Sequence, residues 1–207
     1  MRDGKKRGLR ITYNAPVVLS FALLCVAVWL LNLLTGAKPD QGTMGWTNNH
    51  LFSVYRASLL DPLTYVRLFG HVLGHASWDH LLNNMMLLLV LGPMIEEKYG
   101  SSNTLFVILA SALVVGILQM VFFPGHPLLG ASGVVFAFIL LASITGMEEG
   151  TIPLTLILVA LLYIGQQVLA AFGSKDSNVS QMAHIAGGVV GGGLGIVMNR
   201  LGMARRN

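Results

Sequence analysis

Five long stretches of this sequence carry no charged side chain, and they constrain its fold more than any other feature. They lie between short charged segments and cover 11–37, 80–95, 99–147, 150–174 and 177–199. A helix needs about 20 apolar residues to cross a bilayer, so most of these stretches are long enough for one span. The chain has 54% hydrophobic and 11% charged residues, whereas about a quarter of the residues in soluble domains are charged. The sequence therefore predicts an all-α polytopic membrane protein and excludes an ordinary soluble domain or a disordered chain.

The number of spans follows from the lengths of these stretches. Residues 99–147 would form a single helix about 74 Å long, which is more than two bilayer cores. Pro124, Gly125 and Pro127 break this stretch into two helices. We therefore predict six membrane spans, at residues 15–34, 79–97, 103–123, 132–147, 152–172 and 181–200. A long outer loop joins the first two, and Trp46–Leu60 within it has the mixed composition of a helix at the membrane surface.

Positive charges at both ends of the chain predict its orientation. Basic residues flank the first and last spans, namely Arg2, Lys5, Lys6, Arg7 and Arg10, and Arg200, Arg205 and Arg206. Such flanks stay in the cytoplasm, so 1–14 and 201–207 are predicted to be cytoplasmic and 15–200 to form the membrane domain. Two cytoplasmic ends require an even number of spans, in agreement with six. Apolar spans beside the basic flanks disfavour nucleic-acid binding, and a cleaved signal peptide at the first span would leave an odd number.

Polar side chains within predicted spans are costly, and they mark candidate functional positions. The second span begins with His80 and Asn84, which lie four residues apart on one helix face. Ser132 begins the fourth span, and His184 lies near the start of the sixth. All three spans run from outside to inside in the predicted topology. We therefore expect these four side chains at one depth, near the outer surface.

A serine and a histidine at one depth are typical of nucleophilic catalysis. A serine hydroxyl becomes a good nucleophile when a neighbouring base takes its proton, and neutral imidazole does this near neutral pH. No Asp or Glu lies mid-span to orient the imidazole, so the pattern favours a dyad of Ser132 and His184 over a triad. The available donors for an oxyanion are His80, the Asn84 amide and the backbone N–H of Ser132. The short fourth span places its helix N-terminus below the surface, where free N–H groups favour negative charge.

Each of these residues also has a structural interpretation. A serine in an apolar helix often bonds its own backbone. His71 and His75 either bind a metal together with His80 or form hydrogen bonds that hold the loop and a water molecule. The absence of nearby acids favours the second role, and we predict no metal and no cofactor. Gln119 either holds water near the site or forms a hydrogen bond between helices.

Small residues predict how two of the spans pack. Glycines repeat every four residues in the sixth span, at Gly187, Gly191 and Gly195. Such spacing is typical of close helix packing. We expect it to bring the sixth span against Gly133 and Ala137 of the fourth. This packing would set the distance from His184 to Ser132.

Three motifs occur in order on these spans: HxxxN at 80–84, GxSG at 130–133 and AHxxG at 183–187. Together with His71, His75, Glu96 and Gly100, they resemble the motifs of the rhomboid family of intramembrane serine proteases. The likeness extends from about Val66 to Gly195. It implies a six-transmembrane-helix rhomboid-like bundle with a long outer loop between helices 1 and 2.

The resemblance also implies an activity and a set of roles. Ser132 would be the nucleophile and His184 the base of an endopeptidase that cleaves membrane proteins in or next to their transmembrane segments, through an acyl-enzyme. The oxyanion would be bound by His80, Asn84 and the Ser132 amide. Supporting residues would be Phe136, His71, His75, Gly130, Gly133, Gly187 and Gly191. The expected partners are single-pass transmembrane substrates and membrane lipid, without nucleic acid or metal, and the active site would open on the outer side of the cell membrane.

Two positions depart from the family pattern. Phe136 stands where the family commonly has a tyrosine stacked on the histidine, so the ring is kept and the hydroxyl is lost. Val66-Arg67 stands where the family has Trp-Arg.

Two other functions compete with that of an endopeptidase. A catalytically silent rhomboid-like binding factor would have lost Ser132 or His184, and both are present. A small transporter would show broken helices in repeated halves, and the sequence has no repeat.

Overall fold

The computed structural model describes residues 12–144, 151–155, 157–159, 161–162, 165 and 178–203. Within these ranges the chain is helical, and strand-like pairing is limited to two isolated bridges. The helices, in chain order, are α1 (Pro16–Leu34), α2 (Trp46–His50), α3 (Pro62–Gly70), α4 (Trp78–Tyr99), α5 (Ser101–Phe122), α6 (Ser132–Ile144) and α7 (Asn178–Arg200).

Helices occupy five of the predicted spans, since α1, α4, α5, α6 and α7 coincide with the first four and the sixth. Among the described residues, three helices are long and apolar enough to cross a membrane: Pro16–Leu34, Ser101–Phe122 and Met182–Arg200. Helix α6 is apolar but shorter. Most of the fifth predicted span lies outside the described residues, as do residues 1–11, 145–150, 166–177 and 204–207. The count of six spans therefore stays a prediction.

The loop between α1 and α4 is divided into two short helices. The surface helix predicted over Trp46–Leu60 is limited to the five residues of α2, and α3 starts only at Pro62. Proline is well suited to the first position of a helix but cannot continue one from the residues before it. The Asp61 side chain caps α3, since its Oδ1 accepts a hydrogen bond from the Leu63 N–H at 3.0 Å.

Arg67 stabilises this loop from inside. Its side chain is buried, and its Nε donates a hydrogen bond to the carbonyl of His50 at 2.7 Å. Its Nη1 forms a salt bridge with Asp61 at 3.2 Å, and the guanidinium carbon lies 4.8 Å from the centre of the Tyr55 ring. The neighbouring Val66 is exposed. The arginine of the Val66-Arg67 pair therefore makes all of these loop contacts.

The buried carboxylate of Glu96 joins α4 to the start of α1. Its Oε1 and Oε2 accept hydrogen bonds from the N–H groups of Val17 and Val18, each at 3.0 Å. The Ser101 hydroxyl donates to Oε1 at 2.7 Å. The chain turns between α4 and α5 at Gly100, whose φ of +81° is one that other residues rarely adopt. Glu96 thus satisfies N–H groups that the first turn of α1 leaves without helical partners.

Glycines of α7 pack closely on α6, two of them on its backbone and one on a side chain. Their closest contacts pair Gly187 with Gly133, Gly191 with Ala137 and Gly195 with Leu141. A β-carbon on Gly191 would overlap the backbone of Ala137, and one on Gly187 would overlap the backbone of Gly133. The paired positions advance by four residues on both helices, so α6 and α7 run in the same direction. The predicted packing of the glycine repeat against Gly133 and Ala137 is confirmed.

Candidate active site

Ser132 is the first residue of α6, and the chain reaches it through an unusual turn at Gly130. Gly130 has a φ of +127°, in a region that side chains with a β-carbon rarely adopt. A β-carbon on this residue would lie 2.6 Å from both Cε1 and Nε2 of His80. Glycine at this position therefore allows both the turn and the close packing of the His80 ring against it.

Hydrogen bonds fix the segment before Ser132 on both of its sides. Val54 and Leu128 form a two-bond antiparallel bridge, with N–H to carbonyl distances of 2.8 and 2.9 Å. The Gly130 N–H donates to the carbonyl of His71 at 2.9 Å. The Ala131 N–H donates to Nε2 of His75 at 3.4 Å. The outer loop and the histidine segment after α3 thus hold the start of α6 in place.

These contacts leave the Ser132 N–H available. The first hydrogen bond of α6 runs from the Val135 N–H to the Ala131 carbonyl, at 2.9 Å, and the Ala131 N–H is already bonded to His75. The Ser132 N–H has no acceptor among the residues that the structure describes. A free N–H at a helix N-terminus is suited to bind negative charge.

His80 and Asn84 lie on the first turns of α4. The Ser77 hydroxyl caps this helix by accepting a hydrogen bond from the His80 N–H at 3.1 Å. The Asn84 side chain is buried, and its Nδ2 donates to the His80 carbonyl at 3.0 Å. The His80 ring meets the His75 ring edge-on, with centroids 5.0 Å apart. The cap and these contacts fix the position of the His80 imidazole against the Gly130 turn.

His184 reaches the same region from α7. Its ring packs on Phe136, with ring centroids 4.4 Å apart and an angle of 42° between the planes. Phe136 lies one turn after Ser132 on the same face of α6. The carbonyl of Ala183, the residue before His184, would lie 3.5 Å from a β-carbon on Gly133, the residue after Ser132. The structure therefore brings His184 and Phe136 together on the first turns of α6 and His80 against the Gly130 turn that precedes Ser132; the catalytic pairing of Ser132 with His184 stays a prediction.

His71 and His75 lie in the connection between α3 and α4, and both are buried and neutral. Burial lowers the pKa of His71 to about 4, although the carbonyl of Ala112, which accepts a hydrogen bond from Nε2 at 3.1 Å, opposes the shift. Burial and the nearby His80 lower the pKa of His75 to about 3. The Nδ1 of His75 donates to the Leu73 carbonyl at 3.1 Å, and its Nε2 accepts from Ala131. Both of its ring nitrogens are thus engaged, and the described part of the chain holds no cluster of three metal-ligating side chains.

Two residues that support the site have functions that their sequence positions did not reveal. Val54 lies in a loop of mixed apolar and polar residues, where no motif or periodicity marked it as the partner of Leu128. Gln119 is buried, and its Nε2 donates to the carbonyls of Phe123 and His126 in the loop that follows its own helix. Gln119 therefore holds the α5 end of the loop that leads to Ser132. For Gln119, the polar side chain in an apolar span marked the residue as notable, but the sequence did not predict its hydrogen-bond partners.

Comparison with known proteins gives matches over most of the chain. The family model described as the rhomboid domain matches residues 62–201. The chain is 31% identical over 180 residues to the rhomboid protease GlpG of Yersinia pestis (strain Pestoides F), which covers 85% of this chain and 60% of that protein. It is 28% identical over 184 residues to the rhomboid protease GlpG of Klebsiella pneumoniae subsp. pneumoniae. This match covers 86% of this chain and 63% of that protein. The chain thus spans about three fifths of the length of these curated relatives.

Proposed function

Because the chain belongs to the rhomboid family and contains helices long and apolar enough to cross a membrane, we propose that it is a serine-type intramembrane endopeptidase. It hydrolyses peptide bonds in or next to the transmembrane segments of single-pass membrane proteins. The packing of His184 on Phe136, one turn after Ser132, and of His80 on the Gly130 turn just before Ser132 supports this function most directly. The names of the relatives, both rhomboid proteases, support it independently.

The chemistry follows from the groups around Ser132. His184 takes the proton of the Ser132 hydroxyl while the oxygen attacks the carbonyl carbon of the substrate. The free N–H of Ser132 and the side chains of His80 and Asn84 bind the negative oxygen of the tetrahedral intermediate, and each donor contributes about 3 kcal/mol. His184 then gives its proton to the leaving amine, which produces an acyl-enzyme and the first product. A water molecule, activated by the same imidazole, hydrolyses the acyl-enzyme.

The exposed surface of α1 agrees with a location inside a membrane. Apolar side chains of α1 are exposed on the surface of the described structure, including Leu23, Leu30 and Leu34. Such a surface is suited to contact lipid tails rather than water. We place the protein in the cell membrane as a multi-pass protein, with both ends in the cytoplasm and the active site opening to the outer side. Substrates are then membrane proteins that approach within the bilayer.

The decisive experiment compares purified wild-type protein with Ser132→Ala and His184→Ala in lipid vesicles. The substrates are single-span fusion proteins with transmembrane segments of different sequence. Ser143→Ala is the matched control, because Ser143 lies on the same helix and its hydroxyl donates only to the carbonyl of Ile139, at 2.9 Å. Wild type and the control should cleave, whereas both site variants should lose activity by at least about a thousandfold.

A second readout does not depend on finding the natural substrate. A fluorophosphonate probe labels an activated serine covalently, so it should label wild type and Ser143→Ala but not Ser132→Ala. Equal cleavage by wild type and Ser132→Ala would show that the proposed nucleophile is wrong. If folded wild-type protein neither cleaves nor reacts with the probe, a catalytically silent membrane-protein binding factor becomes the better explanation.

A further inference from the structure

A chain of side-chain hydrogen bonds joins three helices at the end opposite to Ser132. The Tyr99 hydroxyl, at the end of α4, donates to Oδ1 of Asn199 on α7 at 3.2 Å. The Nδ2 of Asn199 donates to the carbonyl of Ile144 on α6 at 3.0 Å. Tyr99 is buried, and Ile144 is the last described residue of α6. Because a carbonyl only accepts, the Ile144 carbonyl fixes which way the Asn199 amide points.

The glycine contacts between α6 and α7 determine how close the helices come but not their register. The contacts repeat every four residues on both helices, so the interface resembles itself after one turn. If α7 moved outward by one turn, Gly191 would face Gly133 and Gly195 would face Ala137. Both of these contacts would again join a glycine to a small residue, and the helices would stay at nearly the same separation.

The hydrogen bond from Asn199 does not repeat in this way. A shift of four residues moves α7 by about 6 Å along its axis. Asn199 would then lie opposite Leu141, out of reach of the Ile144 carbonyl and of Tyr99. The same shift would carry His184 about 6 Å away from the level of Ser132, far beyond the reach of a hydrogen bond.

We propose that Asn199, oriented by Tyr99, fixes the register of α7 against α6 and thereby sets the height of His184 relative to Ser132. Asn199 is a positioning residue in this proposal, because it lies at the other end of both helices. The catalytic consequence rests on the proposed endopeptidase function, whereas the register itself does not.

Disulfide cross-linking measures the register directly. A β-carbon on Gly192 would lie 3.9 Å from the Leu140 β-carbon, within the usual range for a disulfide. The pair Leu140→Cys with Gly192→Cys therefore reports the observed register. The pair Leu140→Cys with Ile196→Cys reports the outward shift, because Ile196 would take the place of Gly192. Both pairs are made with Cys25→Ser, which removes the one native cysteine.

Each pair is oxidised in vesicles with and without Asn199→Leu. We expect the 140/192 pair to cross-link much faster than the 140/196 pair when Asn199 is present. With Asn199→Leu, the 140/192 rate should fall and the 140/196 rate should rise, each about fivefold or more. Tyr99→Phe removes one hydroxyl and should give a smaller change in the same direction, so the proposal is testable even if Asn199→Leu folds poorly.

Asn103→Leu is the matched control, since its Nδ2 donates to the backbone carbonyl of Tyr99, within α4, and not to α6 or α7. It should leave both cross-linking rates unchanged. If Asn199→Leu and Tyr99→Phe alter neither rate in folded protein, the proposal is overturned, and the hydrogen bonds only add stability.

Cleavage kinetics test the catalytic consequence in proteins without the added cysteines. Asn199→Leu should lower kcat about tenfold or more and leave KM within about twofold. An unchanged kcat alongside shifted cross-links would overturn the link between register and His184. If wild-type protein cleaves nothing, the proposed function fails, but the cross-linking result still decides the register.

Discussion

The Nε2 atom of His75 accepts a hydrogen bond from the backbone N–H of Ala131, the residue directly before Ser132. The same ring donates from Nδ1 to the Leu73 carbonyl, which leaves a lone pair on Nε2 for Ala131. A side chain from the outer loop thus satisfies a buried N–H at the start of α6. In the proposed mechanism, this contact determines where the catalytic serine begins its helix.

Removing that contact should affect stability and activity together. In His75→Leu the Ala131 N–H loses its acceptor, and a buried unpaired N–H costs about 1–3 kcal/mol. We expect a lower thermal unfolding temperature in detergent and slower cleavage. His126→Ala serves as the control, because His126 is exposed in the loop between α5 and α6, which also contains Ala131. Equal stability of His75→Leu and wild type would show that this hydrogen bond contributes nothing.

The buried histidine His71 predicts a dependence of stability on pH. Its pKa in the folded protein is about 4, below the ordinary 6.5, so the unfolded chain takes up a proton first as the pH falls. The stabilisation is complete above about pH 6.5 and is lost towards pH 4, with a loss of about 2 kcal/mol at pH 5. Thermal unfolding at about pH 7.5 and about pH 5 measures this effect.

His71→Gln provides the comparison for that measurement. The glutamine amide can still donate to the Ala112 carbonyl but does not titrate. The variant should therefore lose less stability than wild type between the two pH values. The same loss in both proteins would assign the pH dependence to other groups.

Two glycines of α7, one facing α6 and one facing away from it, test the packing between these helices. In Gly191→Ala the new β-carbon would overlap the Ala137 backbone, and such overpacking costs about 1–3 kcal/mol or more. Gly191→Val should be worse, with folding yield and activity falling together. Gly193→Ala has open space around its β-carbon, so it should fold normally and gain about 0.5–1 kcal/mol from the helix interior. Unchanged cleavage by Gly191→Val would contradict the packing argument.

Phe136 tests whether the ring alone supports His184. Phe136→Ala removes the ring whose centroid lies 4.4 Å from that of the imidazole. Aromatic pairs contribute about 0.5–1.5 kcal/mol beyond their buried area, so we expect a kcat about two- to tenfold lower. Phe136→Tyr keeps the ring and should stay close to wild type. Phe106→Ala, an exposed ring on α5, is the control, and a matching loss there would show that the effect is not specific.

The Glu96 carboxylate should contribute more to stability than its neighbour. In Glu96→Gln one acceptor oxygen becomes an amide that faces a backbone or hydroxyl donor, and the loss of a charge-assisted hydrogen bond costs about 1.5–3 kcal/mol. Glu97→Gln is the matched control, because Glu97 is exposed one residue further along α4. Unfolding temperatures in detergent should separate the two variants by several degrees, and equal values would argue against the cap on α1.

Much of the helix framework could be predicted from the chain because its signals are local. Uncharged stretches marked α1, α5 and α7, and proline and glycine marked the break before α6. The short helices of the outer loop were harder to predict, because α3 depends on a cap at Asp61 and a proline at its first position rather than on hydrophobicity. Residues 166–177, where a predicted span ends, lie outside the described structure.

By itself, the sequence determined which chemical groups are present and the order in which they occur. These features all belong to short segments: a serine follows a glycine turn, one histidine precedes a glycine repeat, and another histidine lies at the start of a helix. Only the tertiary structure decided how these segments meet: Val54 pairs with Leu128, His75 accepts from Ala131, and Asn199 bonds to the Ile144 carbonyl. Such contacts join atoms that are far apart along the chain, and any one of several apolar or polar residues would satisfy the local pattern equally well. Their partners are therefore selected by the packing of the whole bundle, because a buried hydrogen-bonding group must find its partner wherever the fold brings one within reach.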